Sequence, residues 1–327
     1  ESIEGTDRVE KIQTSKKTME VDAVIMSVGI RPNTEFLADS GIELLPNKTI
    51  KVNEYLQTND ENIYAAGDCV SVKNILTDKL VWSPMGSSAN IEGRILAQNL
   101  NGKKIKFKGV LGTAVAKLPE LNVGRTGLTE AAAKEMGFDA VSVITVEDDK
   151  AHYYAGAANF IIKLIADRKT LKILGVQVFG KGAVDKVVDI VVTAMSMRGT
   201  LHDIEDLDLA YAPPFSTAIH PIVHTVNVLF NKINGALETI TPAEYLEGKG
   251  NGYAVFDSCS VATIEGAPYL ELTDINGKLE GYDLDDRLLL VCNKGKKAYL
   301  VQNRLKYYGY TNTRVLEGGV TFNKVKV

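Results

Sequence analysis

The feature that narrows the fold most is a set of short, nearly continuous apolar runs, each ending at a turn. Val21 to Val28 (VDAVIMSV) closes at Gly29, with Arg31, Pro32 and Asn33 behind it. A run apolar on both faces reads as a strand of a parallel sheet covered on both sides. Ile63 to Ala66 closes in the same way at Gly67 and Asp68, and Leu288 to Val291 at Cys292. After the second run, Ser83 and Pro84 read as an N-cap and first-turn proline, opening a helix through Ala89, Asn90 and Arg94 to Leu100. From about Phe107 to Asn231 the pattern changes. Longer alternating strands (Val141 to Val146, Phe160 to Ile165, Lys172 to Val178) stand between helices at Thr129 to Met136 and Val184 to Met197. That is an α+β domain around an antiparallel sheet. Asn101 and Gly102 with the basic run Lys103, Lys104, Lys106 form one linker, and Gly248 to Gly252 (GKGNG) a second. Beyond it lies a last unit with the strand Leu288 to Val291 and a helix from about Lys297 to Tyr308.

Composition excludes several function classes. With 45% of 327 residues hydrophobic, more than one core can be buried. The 37 basic and 41 acidic residues are interspersed, for a net charge of -4, which argues against a nucleic-acid partner. The longest apolar stretches, Phe160 to Ala166 and Val187 to Met197, contain Lys163 and Asp189 and fall short of the roughly 18 residues of a membrane span. Cys69, Cys259 and Cys292 are too far apart for a disulfide framework or paired zinc ligands, so a reducing cytoplasm is the expected compartment. His220 and His224 have Pro221 between them and no carboxylate-rich surroundings in sequence, and no metal is expected. The opening stretch through Lys17 is polar, without a signal-peptide core, and a piece of a longer protein is expected.

Asp68 would stand at the carboxyl end of a strand, where open α/β sheets bind ligands. Its carboxylate suits a sugar-type hydroxyl, or else simply forms the turn. A helix opening near Ser83 and Pro84 would offer unpaired N–H groups to the negative charge of a reduced flavin ring. Three motifs occur in order: VGIRPNT at 28–34, Thr58 with NIYAAGDC at 62–69, and W-x-P with AN-x-x-GR at 82–94. With these the chain resembles the flavin-dependent pyridine nucleotide-disulfide oxidoreductases. The resemblance implies FAD and NAD(P)H as cofactors, with Gly29, Gly67, Asp68, Pro84, Met85 and Gly86 as the binding residues on this chain. YYAGA at 153–157, LGVQVFG at 174–180, DKVVD at 185–189 and YAPPFS at 211–216 look like the dimerisation domain of the coenzyme A-disulfide reductase and NADH oxidase branch. That implies a homodimer in which Tyr211 either approaches the partner's flavin site as a proton donor or substrate-positioning phenol, or anchors a proline turn at the interface. Ala218, Ile219, His220, Pro221 stand where that branch usually has Ala-Lys-Asp-Pro, and Val187 where it has Arg, so coenzyme A specificity does not carry over.

In the last unit, Leu289, Leu290 and Val291 deliver Cys292 to the loop Asn293, Lys294, Gly295, Lys296, Lys297. Loop N–H groups, a helix N-terminus and lysines all favour a thiolate, hence a nucleophile. This pattern looks like a rhodanese-like sulfurtransferase domain, whose loop cysteine carries a sulfane sulfur as a persulfide. Asp257, the run Ile264 to Ala267, Gly309, Tyr310 and Leu316 to Gly319 support it, while Ser258, Cys259, Lys297 and Phe322 depart from common residues of that family. Cys292 could instead be an inert strand-end cysteine in a degenerate domain, and Cys259 reads as core.

No Gly-x-Gly-x-x-Gly turn occurs in the chain. The expected organisation is therefore the end of a NAD(P)-binding domain (1–34), the closing segment of an FAD-binding domain (35–105), an α+β dimerisation domain (106–238) and a rhodanese-like α/β domain (239–327). The function implied is NAD(P)H- and FAD-dependent reduction of a disulfide, persulfide or polysulfide, with a small sulfur-containing or coenzyme A-linked substrate, coupled to sulfur handling at Cys292. The chain alone, lacking an amino-terminal half, is expected not to turn over NAD(P)H. An NADH oxidase or peroxidase with a degenerate tail, or an inactive dimerisation fragment, are the alternatives.

Overall fold

The computed structural model describes residues 1–326. It divides into two compact units, one of residues 1–73 and 80–108, the other of residues 74–79 and those from 109 onward.

In the first unit β1 (Ser2–Glu4), β2 (Lys11–Gln13) and β3 (Thr18–Glu20) form an antiparallel meander. β4 (Ile50–Lys51), β5 (Val70–Lys73) and β6 (Leu80–Trp82) form a second small sheet, β4 parallel to β5 and β6 antiparallel to it. Helix α1 spans Gly86–Leu100. Three expectations are corrected here. The run Val21 to Val28 forms no strand; Ile25 and Val28 are 91% and 83% exposed. A strand apolar on both faces needs partners for its backbone and cover for its side chains, and no described strand pairs with this one. Ile63 to Ala66 is likewise not a strand. Its backbone folds back on residues 56–58, through Thr58 N–H to Ile63 O (2.9 Å) and Ala65 N–H to Leu56 O (3.0 Å). Ser83 is not the N-cap of α1. The Met85 N–H donates to Ser83 O (2.8 Å), so the chain turns once more past Pro84 and Met85 takes the cap position.

The second unit contains a five-stranded antiparallel sheet built from β7 (Ala114–Lys117), β8 (Asn122–Gly127), β9 (Ala140–Asp148), β10 (Asn159–Asp167) and β11 (Ile173–Gly180). The strand order is β7-β8-β11-β10-β9, which leaves β9 at an edge. Between β8 and β9 lies α2 (Glu130–Glu135), N-capped by the Thr129 side chain. Helix α3 (Val184–Ser196) packs on β8 and β11, and α5 (Pro221–Ile233) on β9 and β10, with the short α4 (His202–Glu205) between them in sequence. Val184, Val187, Val188, Val191 and Met195 recur at helical spacing on α3 and are all buried, so the stripe that faces the sheet is written in the sequence. Pro221 occupies the first turn of α5, and the buried His220 caps it by accepting the Ile222 N–H at Nδ1 (3.3 Å). Leu76, from the 74–79 turn, joins this core, so that turn belongs here although it lies within the stretch expected to close an FAD domain.

The same unit continues into a four-stranded parallel sheet of order β12-β15-β14-β13: β12 (Thr239–Ile240), β13 (Ala254–Asp257), β14 (Leu288–Val291) and β15 (Thr313–Leu316). Helices α6 (Pro242–Leu246), α7 (Lys296–Tyr307) and α8 (Gly319–Phe322) accompany it. β14 is central and all four of its residues are buried, as its unbroken aliphatic run requires. GKGNG is no linker between domains. β12 already pairs with β15 before it, so Gly248 to Gly252 is an internal turn between α6 and β13.

Candidate active site

Cys292 leaves the carboxyl end of β14 and is 3% exposed. Its Sγ accepts the N–H of Gly295 (3.1 Å) and of Ala298 (3.4 Å). The turn between strand and helix depends on Gly295, whose φ of +106° lies in the left-handed region, at the cap position of the twelve-residue α7. No acidic residue occupies the first turn of α7, so the positive end of that helix falls on the sulfur. The loop is also gripped from behind. Cys292 O and Asn293 O accept the N–H groups of Val320 (3.0 Å) and Thr321 (3.1 Å) from α8. Gly319 allows this approach, since a Cβ there would stand 1.9 Å from Cys292 O. A sulfur anion in this seat is held by backbone N–H groups, the arrangement that stabilises a thiolate or a terminal persulfide.

Asp257 shapes the neighbouring wall. Fully buried at the end of β13, it accepts from Cys259 N–H (2.8 Å), Thr263 N–H (2.6 Å) and Ile264 N–H (2.9 Å). Burial pushes its carboxyl up, but the Cys259 thiol together with the backbone donors outweighs that and holds it below the ordinary range. Cys259 is buried beside it, its thiol pushed up to about 11 chiefly by burial, so it stays protonated and takes a core place.

The lysines are arranged differently from the sequence expectation. Lys294 Nζ pairs with Asp148 Oδ1 at the end of β9 (2.7 Å), and Lys297 Nζ with Glu271 Oε2 (3.1 Å). Lys296 is exposed. Lys294, Gly295 and Lys296 form one wall of a cavity of about 350 Å³, faced by Glu147 and Asp148 of β9 and His224 of α5. His224 Nδ1 lies 2.8 Å from Glu147 Oε2, and this partner raises the histidine above its usual range against the effect of burial. Glu317, 3% exposed just before Gly318 and Gly319, ties the same region together. Its carboxylate accepts from Lys232 Nζ (2.6 Å), Thr239 Oγ1 (2.7 Å) and the Ile144 N–H of edge strand β9 (2.9 Å). Asp148, Glu271 and the cross-domain role of Glu317 were not found from sequence.

In the first unit, Gly67 has φ +89° and donates its N–H to Glu92 Oε2 (2.7 Å), a carboxyl that burial pushes up. The Asp68 side chain is exposed, and α1 opens after Pro84 at Met85 and the exposed Gly86 with no side-chain cap. An exposed carboxylate and an uncapped helix N-terminus fit the ribityl hydroxyls and the anionic ring of a flavin. Gly29 (φ +87°) lies in the exposed run that pairs with no described strand. Tyr211 is exposed on an irregular segment near Phe215, and Pro213 O accepts the Ala151 N–H (3.2 Å), which joins this segment to the 151–157 turn carrying the exposed Tyr153 and Tyr154.

Comparison with known proteins places three families along the chain. Residues 1–90 match the pyridine nucleotide-disulphide oxidoreductase family, residues 113–222 the dimerisation domain of that family, and residues 236–321 the rhodanese-like domain. An NAD(P)H sulfur oxidoreductase (CoA-dependent) of Pyrococcus furiosus is 38% identical over 70% of this chain and 51% of its own length, so the chain spans about half of that relative. Among solved structures, an NAD-dependent persulfide reductase from A. fulgidus superposes with a TM-score of 0.86 at 33% identity, over 94% of this chain and 56% of that one. Reduced CoADR-RHD from Bacillus anthracis gives 0.87 at 31% identity, over 95% and 57%. The chain belongs to the pyridine nucleotide-disulphide oxidoreductase family and carries, over residues 236–321, a rhodanese-like domain.

Proposed function

We propose that this chain serves an FAD-dependent NAD(P)H oxidoreductase that reduces a disulfide, persulfide or polysulfide, coenzyme A-linked substrates included, and that Cys292 handles the sulfane sulfur. The observation that carries the sulfur reading is the seat of Cys292, where two N–H groups and a helix N-terminus converge on Sγ. The Cys292 thiolate attacks the outer sulfur of an organic persulfide R–S–S⁻. The S–S bond breaks, R–S⁻ leaves, and the cysteine keeps the sulfur as Cys292–S–S⁻; charge and atoms balance. The terminal sulfur then passes to an acceptor thiolate or is released by reduction. Asn293, Lys294, Gly295, Lys296 and Lys297 form the loop that shapes this seat.

Asp68, Gly67, Pro84, Met85 and Gly86 would hold the flavin, and Gly29 would border the nicotinamide site. FAD supplies the transfer of a hydride's electron pair from NAD(P)H toward a disulfide. Both sites are incomplete on these residues, because no phosphate-binding glycine turn occurs in the sequence and the match covers 51% of the curated relative. A further amino-terminal half would complete them. Exposed Tyr153, Tyr154, Tyr211 and Phe215 support a homodimer interface on the α+β domain. All three cysteines are free, in keeping with the cytoplasm.

The test is sulfur transfer from an organic persulfide to cyanide by the chain itself. Thiocyanate formation is expected from the unaltered chain and only the buffer rate from Cys292→Ser. Equal rates in the two proteins would refute the role of Cys292.

A further inference from the structure

Two of the three lysines beside Cys292 are neutralised from outside their loop. Asp148 comes from β9 of the five-stranded sheet, 146 residues away, and holds Lys294; Glu271, ahead of β14, holds Lys297. Of the three, Lys296 alone has no ion-pair partner among the described residues, so the three lysines present about one net positive charge rather than three. Among the other charged groups, Glu147 lies 2.8 Å from His224 Nδ1, and Glu317 is paired with Lys232. The Asp148 contact is built into the fold: β9 is an edge strand, and Glu317 fixes its Ile144 N–H to the very segment that grips the Cys292 carbonyl.

We propose that Asp148 is a positioning residue that sets the charge of the sulfur donor accepted at Cys292. By drawing the Lys294 ammonium into an ion pair across the domain boundary, it suits the loop to the single negative charge of an organic persulfide. A dianion such as thiosulfate is disfavoured. This rests on the reading of Cys292 as a sulfane-sulfur acceptor. With thiosulfate the balanced step is Cys292–S⁻ plus S–SO₃²⁻ giving Cys292–S–S⁻ plus SO₃²⁻, so both donors load the same cysteine and differ only in the charge brought to the loop. Lysine, a point charge without a planar fork, leaves net charge as the main discriminator.

The experiment compares the chain with Asp148→Asn and Asp148→Glu. Sulfur uptake is followed from thiosulfate and from the persulfide of 2-mercaptoethanol, with cyanide as acceptor. Removing one negative charge at a partly screened distance is worth about threefold for a monoanion and, with twice the charge, about tenfold for a dianion. Asp148→Asn is therefore expected to raise kcat/KM for thiosulfate about tenfold and for the persulfide about threefold. The gain should appear in KM and shrink as salt is raised. Asp148→Glu should behave like the unaltered chain. A second readout needs no sulfur chemistry: the ratio of iodoacetate to iodoacetamide labelling of the Cys292 peptide should rise about threefold in Asp148→Asn. If that ratio moves while neither donor loads Cys292, Asp148 controls the charge of the loop and the acceptor reading falls. If both ratios stay put, the proposal is overturned.

Discussion

At the scale of single residues, the seat of Cys292 was legible because its parts are local. A buried strand, a cysteine, a glycine three residues on and a helix start all lie within one short stretch of chain, and backbone geometry makes the contacts. Asp148 and Glu271 were not legible, since a lysine carries no mark of which distant carboxylate it will meet. Gly319 shows how little slack the seat has. Gly319→Ala places a methyl group 1.9 Å from Cys292 O, so the grip on the loop must open. Sulfur uptake should fall about tenfold or more with a stability loss of about 1–3 kcal/mol, read by the uptake assay and thermal unfolding together. Unchanged uptake would mean that the α8 contact does not fix the loop.

Among the elements, those whose partners are nearby in sequence were read best. The helices at α2 and α3 and the alternating strands β9 to β11 follow from periodicity. The runs at 21–28 and 63–66 failed because a continuous apolar run says only that burial is needed, not what provides it. β12 was missed because two residues show no period; its pairing with β15 reveals it. Glu130, first in α2, offers a pH test. Burial works against its charge, yet Lys134, Lys163 and Ser142 together pull its carboxyl from 4.5 to about 2. A carboxyl depressed on folding stabilises above its unfolded value and loses that contribution as pH falls through the folded one. Since Lys134 is exposed, screening reduces the effect, and Glu130→Gln should cost on the order of 1 kcal/mol at neutral pH. In urea unfolding, the gap between the two proteins should close as pH falls from about 4.5 to about 2. A gap independent of pH would assign the loss to packing.

For the whole molecule, the order of domains was legible from motifs, whereas the joining of the five-stranded and four-stranded sheets in one compact unit was not. Two side-chain contacts link them: Glu317, near the end of the chain, accepts the Ile144 N–H of β9, and Asp148, the last residue of β9, holds Lys294 beside Cys292. Incubated with NAD(P)H and FAD, the chain should show no steady turnover, since the glycine turns that hold both nucleotides are absent from its sequence. Sustained NAD(P)H oxidation would contradict that expectation. The most direct measurement is site-resolved mass spectrometry of the chain after exposure to an organic persulfide. One added sulfur atom is expected on the Cys292 peptide, removable by cyanide, and none on the peptides of Cys69 or Cys259. An unmodified Cys292, or sulfur spread equally over the three, would contradict it.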